Sequence, residues 1–91
     1  MRSLLVIYDL VASDHRPGIH ARARREIGAR REWAQVTDAA WIVKTEETPE
    51  ELRDAVLGAL DADDRVFVAE LVGAAAWHNV ICPGMWLKEH L

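Results

Sequence analysis

Ninety-one residues, half of them apolar, with a net charge of −4 and a single cysteine, make one small domain that is marginal alone and has no internal disulfide. No Cys/His spacing suits a structural zinc, no apolar run is long enough for a bilayer, and Asp9 interrupts the opening apolar run, unlike a signal peptide; a cytoplasmic protein without membrane contact, steadied by self-association, is expected. The charge is uneven: residues 1–45 carry eight Lys/Arg against five Asp/Glu, and residues 46–91 carry three against ten.

Residues 3–9 read as a strand that is apolar on both faces, so both faces should be covered. Pro17 and Gly18 close the loop behind it. A helix fits residues 19–27, with Ile19, Ala23 and Ile27 stacked along one side and Arg22, Arg24 and Arg25 elsewhere. Gly28 suits its end; a longer helix would carry Arg30 onto the apolar side. Trp33–Val36 and Ala39–Lys44 read as a hairpin around Thr37-Asp38.

Thr48-Pro-Glu-Glu51 is the clearest local signal, a capping box with proline at the first helical position. The helix behind it presents Leu52, Ala55, Val56, Ala59 and Leu60 on one face. Asp61-Ala-Asp-Asp64 is a turn, and Arg65–Val72 a fourth strand. The order strand–helix–strand–strand–helix–strand is that of an α+β, ferredoxin-like βαββαβ sandwich, an antiparallel sheet with two helices on one face. Two helices cover one face only, so the other is expected to meet a second copy in a sheet-mediated homodimer. Residues 1–72 form this domain, and the apolar segment 73–91 is an extension packing on the domain or on the dimer partner.

Several of these stretches together resemble a known group. They are Tyr8-Asp9-Leu10 closing the first strand, the Pro-Gly loop, Trp41-Ile-Val-Lys-Thr45, the capped acidic helix, Leu60-Asp-Ala-Asp-Asp64, and Arg65-Val-Phe-Val-Ala-Glu70. In order and spacing over residues 3–72 they resemble the SinR-like proteins. These are ferredoxin-like relatives of the small CRISPR adaptation subunit, the non-integrase partner of the spacer-integration complex; VapD-like ribonuclease toxins are more distant relatives. The resemblance implies a homodimer joined through its sheets, with C-terminal segments crossing to the partner. It also implies two copies of Asp9 near the twofold axis that hold a divalent cation, Mg2+ or Mn2+, in members that are nucleases. Other members are inactive scaffolds on duplex DNA. The short first helix, the dense arginine run and the tail depart from the CRISPR pattern.

Asp9 is thus either a metal ligand or a residue capping the loop behind it. Hydrolysis would need an acid–base partner, for which His15 is the candidate, with Asp14 and His20 nearby; the alternative is an ordinary polar loop. Arg16, Arg22, Arg24, Arg25, Arg30 and Arg31 suit contacts with phosphates, or else form a solvated face paired with Glu26, Glu32 or the second helix. The tryptophans are expected in core or dimer packing rather than base stacking. Three functions follow: a nucleic-acid-binding homodimer using the arginines on double-stranded DNA or RNA, a metal-dependent endonuclease centred on Asp9, and an antitoxin-like subunit that meets another protein.

Overall fold

The structure is a computed structural model and describes residues 1–11 and 18–91. It contains β1 (Arg2–Asp9), α1 (Ile19–Ile27), β2 (Glu32–Thr37), β3 (Ala40–Thr45), α2 (Pro49–Leu57), β4 (Arg65–Glu70) and α3 (Gly84–His90). The strands form one antiparallel sheet in the order β2-β3-β1-β4. No helix among the described residues is long and apolar enough to cross a membrane.

The first face of the sheet carries the core. Leu4, Val6 and Tyr8 of β1 stand on it beside Trp41 and Val43 of β3, and α1 and α2 cover them with Ile19, Ala23, Ile27, Leu52, Val56 and Leu60. Side chains alternate across a strand with period two, so the apolar residues 4, 6 and 8 share this face while 5, 7 and 9 point the other way. Trp41 lies parallel to the Tyr8 ring at 5.1 Å between centroids, filling the middle of this layer.

Local chemistry sets the end of α1 and the start of α2 where the residues indicate, while α2 stops at Leu57 with Gly58 as its C-cap, so Ala59 and Leu60 of the expected apolar face lie just beyond the helix. Thr48 accepts from the Glu51 N–H at 3.1 Å, and the Glu51 carboxylate accepts from the Thr48 N–H at 2.8 Å. Both bonds satisfy backbone donors that a helix start leaves open. At the end of α1, Gly28 lets the Trp33 indole approach: an added Cβ would meet the Arg24 carbonyl at 3.1 Å and the indole at 3.4 Å. The Asp61–Asp64 turn is held by the buried carboxylate of Asp64, which accepts from the Asp61 N–H at 2.9 Å and from the Val11 N–H at 3.1 Å. One side chain therefore fastens the exit of β1 to the entry of β4.

The second face, expected to meet a second copy, is not left wholly open by this chain. The chain's own C-terminal segment covers part of it. Leu87 of α3 is 1% exposed, the Ile81 N–H donates to the Val36 carbonyl at 3.1 Å, and the Ser3 hydroxyl donates to the His90 carbonyl at 3.0 Å. His90 Nε2 lies 2.6 Å from the Glu32 carboxylate, tying α3 to β2. A 250 Å³ apolar cavity remains between this segment and the sheet, lined by residues including Val36, Ile42, Trp77 and Leu87. The strip along β1 and β4 stays open: Ile7 is 39% and Phe67 59% exposed, and they are register partners. The fourth strand ends at Glu70, two residues earlier than its apolar run suggests; the Leu71 N–H still donates to the Ser3 carbonyl of β1 at 2.8 Å, and the chain then continues past Val72 into the covering segment.

Candidate nucleic-acid interface

Three arginines project from α1. The stacked residues Ile19, Ala23 and Ile27 turn toward the sheet, so helical geometry puts Arg22, Arg24 and Arg25 on the outside. All three are exposed, as is Arg31 just before β2. Among the described residues none of the four forms an ion pair. Arg22, Arg25 and Glu26 line a shallow cleft of about 430 Å³ against Ala55, Gly58 and Ala59 at the end of α2.

Arg30 stands apart from them. Its side chain is 12% exposed and makes a two-pronged contact with Glu47, Nε–Oε1 at 2.8 Å and Nη2–Oε2 at 2.7 Å. It also donates to the Glu26 backbone carbonyl and lies 3.3 Å from the Glu26 carboxylate. The hydrogen bonds to Glu47 raise the Arg30 pKa above its ordinary value. In return the Arg30 hydrogen bond holds the Glu47 carboxyl below the usual glutamate range. A guanidinium matched by two carboxylates is a brace between α1 and the β3–α2 connection, not a free cation. Because α1 stops at Gly28, Arg30 reaches this position instead of the apolar face.

Asp9 ends β1 on the second face, where its Oδ2 accepts from Arg65 Nη1 at 2.9 Å across the β1–β4 pair. Both side chains are exposed, so the pair is weak. Within one chain, the Asp9 carboxylate is engaged by the Arg65 guanidinium. No group of three or more His, Cys, Asp or Glu that suits a metal occurs among the described residues. His15 and Arg16, together with Asp14, lie outside the described residues.

Two features escaped the reading of the sequence. The first is Arg65, whose meeting with Asp9 depends on strand register. The second is the Tyr8 hydroxyl, 3.1 Å from Nδ1 of His20. Tyr8 is buried, and burial raises its pKa while the nearby charge of Arg24 acts in the opposite sense. The only sequence signal for this contact is a polar-tipped aromatic at the core-facing end of β1, because buried phenols seek a hydrogen-bond partner. The tryptophans divide: Trp41 is core, Trp86 stacks on His90 at 4.2 Å, and Trp33 and Trp77 are exposed in part. No family model, curated protein or solved structure matches this chain.

Proposed function

We propose that this protein is a nucleic-acid-binding module, a ferredoxin-like unit akin to the SinR-like group that works as a homodimer. It grips the phosphates of double-stranded DNA or RNA with Arg22, Arg24, Arg25 and Arg31. The observation that carries this reading is the contrast within one arginine cluster. Arg30 is neutralised by Glu47 and Glu26, while the four other described arginines of the cluster, Arg22, Arg24, Arg25 and Arg31, stand exposed without ion pairs among the described residues. Exposed guanidiniums on one helix and the connection that follows it suit backbone phosphates and carry no base specificity.

The strand order β2-β3-β1-β4 supports the ferredoxin-like assignment. The open strip of Ile7 and Phe67 supports pairing with a second copy, which would place two arginine helices on one molecule. The same strip favours the interaction reading, in which another protein covers it.

A binding titration with a short duplex at two salt concentrations, with and without Mg2+, tests the proposal. Affinity should fall steeply with salt, since each neutralised phosphate releases a counterion. Arg24→Glu combined with Arg25→Glu should abolish binding while the circular dichroism spectrum stays unchanged. Equal affinity in that double variant, or no binding by the wild-type protein, overturns the reading.

A further inference from the structure

His20 and Arg24 lie four residues apart on α1 and so share one face of the helix, a turn apart. The Tyr8 hydroxyl reaches the His20 ring from below, with the ring centroids 5.8 Å apart and the planes tilted by 48°. Tyr8 itself is fixed: its ring is stacked on Trp41 and buried in the core. A core residue thus holds an exposed imidazole in one orientation beside an exposed guanidinium that has no ion pair among the described residues.

We infer that Tyr8 donates its hydroxyl proton to Nδ1 of His20, leaving the ring proton on Nε2, and that this N–H and the Arg24 guanidinium together hold one backbone phosphate. The inference rests on the nucleic-acid reading above and specifies where one phosphate sits. The chemistry is coherent. Burial keeps the phenol protonated and therefore a donor. An imidazole whose Nδ1 accepts carries its proton on the opposite nitrogen. His20 is exposed, so that proton is available to an anion. Arg24 supplies the charge and His20 a directed hydrogen bond, so in this subsite His20 binds and Tyr8 positions it.

The ring-nitrogen chemical shifts of His20, measured at mildly alkaline pH in the full chain, read the tautomer directly. The wild-type protein should show an unprotonated Nδ1 and a protonated Nε2; Tyr8→Phe, which keeps the buried ring, should give a mixture. Inorganic phosphate and a short duplex should each shift the His20 Nε2 signal. Tyr8→Phe and His20→Gln should each weaken duplex binding about three- to tenfold, the loss of roughly one hydrogen bond. Neither should lower the salt dependence, because neither removes a cation, whereas Arg24→Gln should lower its slope by about one.

A proton on Nδ1 in the wild-type protein, or a tautomer and affinity unchanged in Tyr8→Phe, overturns the inference. If the duplex binds and His20 responds neither to it nor to phosphate, the subsite is lost while the nucleic-acid reading stands. If phosphate shifts His20 but no duplex binds, the nucleic-acid reading falls, and the assignment of this subsite to a backbone phosphate falls with it, leaving a site for a free phosphate anion.

Discussion

The two faces of the sheet are built from the same strands and have different fates. On the first, Leu4, Val6, Trp41 and Val43 are buried under α1 and α2. On the second, Ile42 and Ala34 lie beneath the C-terminal segment, while Ile7 and Phe67 remain open and end in the Asp9–Arg65 pair. Both faces are apolar, so apolarity alone does not say whether a helix, a tail or a second molecule covers a face. The covered face holds the fold together. The open strip is where contact with another molecule costs no core packing.

The largest effect should come from breaking the first face. Leu52→Ala, beneath α2, removes a fully buried side chain and should cost about 2–5 kcal/mol of stability in thermal or urea unfolding. A loss below roughly 1 kcal/mol, the size of a typical surface change, would mean that this layer is looser than its burial indicates.

A middle-sized effect belongs to the brace at the edge of that face. Glu47→Gln leaves Arg30 half-satisfied and should cost about 1–2 kcal/mol near neutral pH, discounted for the solvent that reaches Glu47. The sign of the pH dependence follows from the lowered Glu47 pKa. Its contribution is present above the ordinary glutamate range and is lost as the pH falls through the lower folded-state value. The gap between wild type and variant should therefore close on acidification. A gap that persists unchanged into acid would show that the charge of Glu47 is not what stabilises the fold.

On the open strip the smallest effect on stability is expected. Phe67→Ser should alter the unfolding of a single chain by no more than about 0.5 kcal/mol. Under the proposed pairing through this strip, it should nevertheless shift sedimentation from dimer to monomer, and a wild-type protein that sediments as a monomer overturns that pairing. A dimer that persists in this variant would move the association to another surface.

Legibility followed the distance over which each feature is decided. The capping box of Thr48 and Glu51 spans three residues, so it reads directly from the chain. The buried residues of α1 follow from a four-residue repeat, and the strands from short apolar runs. Arg30 was not legible in the same way. Nothing near it announces Glu47, seventeen residues on, and in the sequence it belongs to the same basic run as Arg24 and Arg25. The pairings of Asp9 with Arg65 and of Tyr8 with His20 likewise need a strand register and a helix docked at a particular height.

Sequence by itself determined the order of the four strands and first two helices, the limits of α1, the start of α2 and the apolar character of both sheet faces, because these rest on periodicity and capping within a few neighbouring residues. Only the tertiary structure decided that α3 turns back to cover part of the second face, that Arg30 is consumed as a brace, and that Tyr8 reaches His20. Those outcomes depend on which distant side chains arrive at hydrogen-bonding distance, and no local pattern carries that information.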